Sequence, residues 1–192
     1  NACNTYFKWG EIWERIHEIP MVSIDVPATR EAGTRTWPGD DQFEREKKYV
    51  KVQLKELIEI CEKITGKKFD IDRLREVLGY ANTMSRGWKR VLELNQSRPS
   101  LFNALTDGTV YLGMSNVFRG TPEGALYFDR LVEEMEYMSA NGIGTLTDEK
   151  FRLSFIGVPC YPIFRRFNEM FTEWGGSFVM STYLWFAAGG TN

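Results

Sequence analysis

Residues 151–180 read FRLSFIGVPCYPIFRRFNEMFTEWGGSFVM. Phe151–Ile156 has the length and the residue mix of a buried strand. Gly157-Val158-Pro159 ends it as a turn, because glycine and proline punctuate regular structure. The spacing then predicts a helix over 161–174, a stop at Gly175-Gly176, and a second strand over Ser177–Met180. A strand, a turn, a helix and a strand in such close succession form the opening of an α/β layer.

Toward the N-terminus the period of the pattern is helical. Leu74, Leu78, Ala81, Trp88 and Leu92 mark an apolar stripe on a helix over about 71–95, with Asp70 or Asp72 as its cap. Thr121-Pro122 is a helix start, a hydroxyl at the cap and proline in the first turn, and that helix runs to about Ala140 before Asn141-Gly142. Residues 99–118 are expected to form a helix with a weak centre at Thr106-Asp107-Gly108. Asp41 followed by Glu44 resembles a capping box opening a long helix to Thr65, stopped by Gly66. That helix carries Phe43, Val50, Leu54, Leu57, Cys61 and Ile64 on one face and solvated Lys/Glu runs on the other. Residues 5–18 read as a helix with Tyr6, Trp9, Trp13 and Ile16 at near-helical spacing. Residues 20–26 read as a short buried strand stopped by Pro27, so helix and strand together look like the second half of a βαβ unit.

The organisation expected is helix-rich α/β. Residues 1–40 would be the tail of a first α/β domain, 41–144 a helical middle, and 145–192 the start of a second, truncated α/β domain. The chain opens on Asn1-Ala2-Cys3-Asn4 without a methionine and ends just after an apolar stretch, so it reads as a piece of a longer polypeptide.

The composition bounds the function. Of 192 residues, 43% are hydrophobic and 26% charged, enough for a sizeable core. A net charge of -2, from 24 basic and 26 acidic residues, offers no electrostatic footprint for nucleic acid or an anionic membrane. No apolar run is long enough to span a bilayer, and the first residues lack the basic and apolar regions of a signal peptide. Cytoplasmic residence is the expectation.

Three widely spaced cysteines, at 3, 61 and 160, do not form a disulfide framework. His17 is the only histidine, which excludes a multi-histidine metal site within this chain. Beside Glu14 and Glu18 it reads as a partly solvated structural residue. Cys61 sits on an apolar stripe and reads as a buried structural thiol. Trp9 and Trp13, one turn apart, read as core. Cys160 lies in a strand-to-helix turn, where active-site residues often sit, although packing is the simpler explanation of it. Arg119-Gly120-Thr121 precedes a helix N-terminus, which can bind phosphate or be a plain cap with a solvated arginine.

Three stretches in order carry a family resemblance: Cys3-Asn4-Thr5-Tyr6-Phe7-Lys8-Trp9 with Ile19–Pro27; Gln53–Glu59 with Ile64–Asp70 and Leu74–Val77; and Arg152–Pro159 with Glu173–Val179. Together they resemble the benzoyl-CoA reductase / 2-hydroxyacyl-CoA dehydratase family over nearly the whole chain. The resemblance implies two Rossmann-like or flavodoxin-like α/β domains joined by the helical middle. It also implies an oxygen-sensitive [4Fe–4S] cluster held by three cysteines per subunit, a homologous second subunit, and an ATP-dependent iron–sulfur activator that feeds in low-potential electrons. The substrate implied is an acyl-CoA. The reaction is dearomatising reduction of an aromatic acyl group or, alternatively, radical dehydration of a 2-hydroxyacyl group; a non-catalytic assembly or partner subunit is a further alternative. On this resemblance Cys3 is a cluster ligand, and a helix starting near Thr5 would favour its thiolate. The other ligands would lie outside residues 1–192, so this stretch alone is expected to be inactive. Cys160 is a second metal candidate, and Arg119, Gly120 and Thr121 are candidates for contacting the substrate.

Overall fold

The computed structural model describes residues 4–27, 38–158 and 161–187. Internal contacts divide the chain into two units, Asn1–Asp70 and Ile71–Asn192.

Among its described residues the first unit holds two helices, α1 (Asn4–His17) and α2 (Asp41–Thr65). The cap of α2 is Asp40 rather than Asp41, and its backbone is extended (φ -73, ψ 144) without a side-chain cap bond. At the other end Gly66 adopts φ +67, a left-handed conformation that costs glycine little, and its N–H donates to Glu62 O at 2.9 Å. Residues 18–27 form no strand. An extended segment becomes a strand only through a neighbour's ladder, and here one side chain supplies that pairing. The N–H of Asp25 donates to Gln53 Oε1 at 2.7 Å, and Gln53 Nε2 donates back to Asp25 O at 2.9 Å. A side-chain amide thus exchanges the same two bonds as an antiparallel partner residue.

No described residue of α1 or α2 is buried. Trp9 and Trp13 are 50% and 59% exposed, and Cys61 is a free, exposed thiol, so none of the three is core in this structure. Amphipathic spacing identifies the face that seeks cover, not whether cover is present. Among the described residues of this unit, Met21 lies directly over Gly10, leaving the tryptophan side of α1 open.

The second unit contains α3 (Ile71–Leu94), α4 (Asp107–Val117), α5 (Pro122–Ala140), β1 (Phe151–Phe155), α6 (Phe164–Thr172), β2 (Gly176–Ser181) and α7 (Thr182–Ala187), with a 3₁₀ turn at Tyr161–Ile163 before α6. The strands pair in parallel, with Phe151 opposite Gly176, Leu153 opposite Phe178, and an irregularity between Leu153 and Ser154. A parallel pair requires a crossover, and α6 provides it. The predicted strand–helix–strand is therefore present, as a helix-rich chain with a small parallel sheet.

The core lies between α3, α4, α5 and the sheet. Trp88 stacks on Tyr111 with ring centroids 3.8 Å apart, and Tyr111 meets Phe128 edge-on at 5.5 Å. Gly87 lets α5 approach α3, since a Cβ there would lie 2.6 Å from that of Phe128. Phe178 on β2 packs with Phe155, Phe167 and Phe171 in a second aromatic cluster. The first half of α3 stays open, with Leu74 and Leu78 exposed, while Met84, Trp88 and Val91 are buried.

Residues 99–106 are not helical, which corrects the helix expected over 99–118. Asn103 and Asp107 explain it. Asn103 Oδ1 accepts from the N–H groups of Leu105 (3.0 Å) and Thr106 (3.3 Å), while Asp107 Oδ2 accepts from the N–H of Asn103 (2.7 Å). This reciprocal exchange satisfies donors at a helix entrance, so Thr106-Asp107-Gly108 marks the start of α4 rather than a weak centre.

Candidate functional site

The loop from α3 to α4 is tied to the sheet by buried polar side chains. Asn95 Nδ2 donates to Phe102 O and Val179 O, both at 2.9 Å, and its Oδ1 accepts from Leu101 N (2.9 Å) and Phe102 N (2.8 Å). The hydroxyls of Ser100 and Ser177, both fully buried, lie 2.7 Å apart, with Thr145 Oγ1 3.0 Å from Ser100. Glu149 accepts from Ser100 N and from Arg152, whose guanidinium also donates to Ser97 O and Asn95 O. Burial alone would raise the Glu149 carboxyl, but hydrogen bonds from Ser100 and the charge of Arg152 outweigh it and hold it below its ordinary range.

These bonds fix one wall of a cavity of about 320 Å³ between α4, α5 and the loops at Leu101 and Thr145. Leu101, Phe102, Val110, Leu131, Met135 and Met138 supply its apolar surface. Asp107, Tyr127, Glu134 and Thr145 add polar groups, and among the described residues lining it none is basic. Burial pushes the Asp107 carboxyl up, Glu134 adds to the shift, and hydrogen bonds from Asn103 and Thr106 partly counter it. Burial also raises the Tyr127 hydroxyl, with Asp107 and Glu134 raising it further. An apolar cavity with convergent polar groups of perturbed acidity has the make-up of a small-molecule site. It can receive an uncharged apolar group and offer it a hydroxyl that keeps its proton. Sequence reasoning misses it, because Asp107 falls at the middle of an expected helix. The one legible signal is the Asn103/Asp107 spacing before an apolar run.

The structure brings Arg119, Gly120 and Thr121 together in the turn from α4 to α5. Arg119 Nε donates to Ser115 O at 3.0 Å, closing the end of α4. Thr121 Oγ1 accepts from Gly124 N at 3.1 Å and donates to Phe118 O at 2.8 Å. Gly120 is buried at φ +76 against Val77, where a side chain would be both strained and crowded. Thr121 thus caps this helix entrance, its hydroxyl taking the N–H of Gly124 and its carbonyl that of Ala125.

Cys3 and Cys160 lie outside the described residues. Helix α1 begins at Asn4, immediately after Cys3 in sequence. Among the described residues no group of three or more His, Cys, Asp or Glu is placed to hold a metal. No described helix is long and apolar enough to cross a membrane.

Comparison with known proteins adds what this geometry alone does not contain. The family described as 2-hydroxyglutaryl-CoA dehydratase, D-component, matches residues 1–191. A benzoyl-CoA reductase subunit of Thauera aromatica is 34% identical over 191 residues, covering 95% of this chain and 42% of that protein. The alpha subunit of (R)-2-hydroxyglutaryl-CoA dehydratase from Acidaminococcus fermentans is 34% identical over 165 residues, 84% of this chain and 32% of that one. The alpha subunit of (R)-phenyllactyl-CoA dehydratase from Clostridium sporogenes is 30% identical over 184 residues, 95% and 43% respectively. The chain thus spans less than half the length of each of these relatives.

Proposed function

The chain belongs to the 2-hydroxyglutaryl-CoA dehydratase D-component family, and from that premise we propose that it is part of an iron–sulfur subunit of an acyl-CoA-transforming enzyme of the benzoyl-CoA reductase type. The family match over residues 1–191 carries this reading. A 2-hydroxyacyl-CoA dehydratase subunit is the second reading, favoured by the equal identity, 34%, to relatives named for each activity. The full protein would be cytoplasmic and act with a homologous second subunit and an ATP-dependent activator. In this proposal residues 1–40 end a first Rossmann-like domain and carry the cluster-cysteine loop, residues 41–144 form the helical connection, and residues 145–192 begin a second α/β domain.

Cys3 is proposed as a thiolate ligand of a [4Fe–4S] cluster, with Cys160 as a second candidate. The donor chemistry fits, since thiolate is the ligand such clusters take. The start of α1 at Asn4 supports it, because the positive end of a helix favours a thiolate at the preceding residue. When bound, the cluster would supply low-potential single electrons. The protein's own part is to orient the thioester and exclude water. Contact between the thioester's phosphates and Arg119, Gly120 and Thr121 is a subsidiary proposal. Arg119→Ala that leaves affinity for coenzyme A unchanged assigns the turn to capping alone.

The test is turnover by the full-length protein with its activator under anaerobic conditions. Reduction of benzoyl-CoA supports the first reading, and dehydration of a 2-hydroxyacyl-CoA without aryl reduction supports the second. Neither reaction, with no iron bound, points to a non-catalytic partner or assembly subunit.

A further inference from the structure

The cavity between α4 and α5 bears on a choice that sequence identity leaves open, namely which acyl group the enzyme would take. We infer that this cavity receives an uncharged, apolar acyl group, aryl or branched alkyl, and rejects acyl groups that carry a second carboxylate. The inference rests on the acyl-CoA reading above.

Size is the first argument. A dry cavity of ~150 Å³ suffices to bind benzene. The 320 Å³ here accommodates a phenyl ring with its carbonyl and a few further atoms, while a nucleotide stays outside. The wall is the second argument. Leu131, Met135 and Met138 come from successive turns of α5 and line the space together with Phe102. Thioethers are adaptable and make favourable contacts with aromatic rings. Charge is the third argument. Asp107 and Glu134 border the cavity with no basic residue among the described lining residues, and each carboxyl acts electrostatically on Tyr127. A dicarboxylic acyl group would bring a further carboxylate beside two carboxyls, with no basic residue among the described lining residues to offset it. An uncharged acyl group meets no such opposition, and the Tyr127 hydroxyl, which retains its proton, is suited to donate to a carbonyl oxygen. The larger depression over α2, about 490 Å³, is not the candidate. It is a more open depression between α2 and Val26-Pro27, bordered by Glu46, Lys47 and Lys51.

The experiment uses anaerobically isolated full-length protein and calorimetric binding of two N-acetylcysteamine thioesters, benzoyl and glutaryl, which lack the coenzyme's phosphates. Val110→Trp narrows the cavity from a side chain that is 59% exposed, so the core stays intact. Glu134→Lys supplies the missing cation at an exposed position. Circular dichroism and iron per chain are recorded for every variant. The benzoyl thioester is expected to bind at least about tenfold more tightly than the glutaryl one, and Val110→Trp to weaken it by a similar factor. Glu134→Lys is expected to narrow the gap between the two thioesters. Equal binding of both, an unaffected Val110→Trp, or no benzoyl binding overturns the inference. Retained iron in those cases leaves the iron–sulfur reading standing. Absent iron in the wild type removes that reading whichever thioester binds.

Discussion

Asn95→Ala is the substitution whose cost follows most directly from the structure. Asn95 is 4% exposed, and its amide makes four hydrogen bonds, all to backbone groups. Removing it orphans the N–H groups of Leu101 and Phe102 and the carbonyls of Phe102 and Val179, at the point where the loop after α3 meets β2. A net contribution of about 1 kcal/mol per bond gives a loss of ~4 kcal/mol, and the buried groups left unpaired keep it from being smaller. With a urea slope of ~2 kcal/mol/M, the unfolding midpoint should fall by roughly 2 M. The assay is urea unfolding followed by circular dichroism, with Asn141→Ala as control. Asn141 also bonds a backbone carbonyl, Tyr137 O at 2.8 Å, but at an exposed position, so its loss should stay within about 0.5 kcal/mol. A loss below ~1 kcal/mol for Asn95→Ala would refute the claim that this amide holds loop and sheet together.

Three further outcomes are expected. Gly108→Ala should destabilise by ~1–3 kcal/mol despite alanine's better helix propensity, because the new methyl would overlap Leu184; relief in a Leu184→Ala background, measured by the same unfolding, checks the cause. Thr121→Ala should cost ~1 kcal/mol through loss of the bond to Gly124 N, whereas Thr121→Ser should stay near wild type. The Glu149 carboxyl has a folded-state pKa below its unfolded value, so it contributes stability above the unfolded pKa of ~4.3, and this is lost as pH falls through the lower folded value. The stability gap between wild type and Glu149→Gln should therefore be largest at neutral pH and shrink on acidification, and an unchanged gap at pH 7 and pH 3 would contradict it.

Much of the fold was legible because local chemistry and tertiary structure agree. The bounds of α2, the start of α5 at Thr121-Pro122 and the β1–α6–β2 unit are marked by caps, glycines and a change of period. Where the reading failed, hydrophobic periodicity did not register the deciding partner. The segment 20–26 has strand-like residues but no ladder, and Gln53, far along the chain, takes that role. The α4 boundary depends on a side-chain exchange between Asn103 and Asp107 that periodicity does not register. Trp9, Trp13 and Cys61 occupy well-formed apolar stripes, and a stripe carries no record of what covers it. The cavity escaped for a related reason. Asp107 and Tyr127 become notable only once α4 and α5 bury them together. Family membership, by contrast, was legible from three ordered stretches, since order and spacing survive at about one-third identity.

Cys3 is proposed to help hold a cluster. Iron and sulfide per chain, measured on the anaerobically isolated full-length protein for wild type and Cys3→Ser, test it most directly. About four irons per chain in the wild type, largely lost in Cys3→Ser with the fold retained, is the predicted result. Iron absent from both proteins, or equal in both, would contradict it and make Cys3 an ordinary thiol.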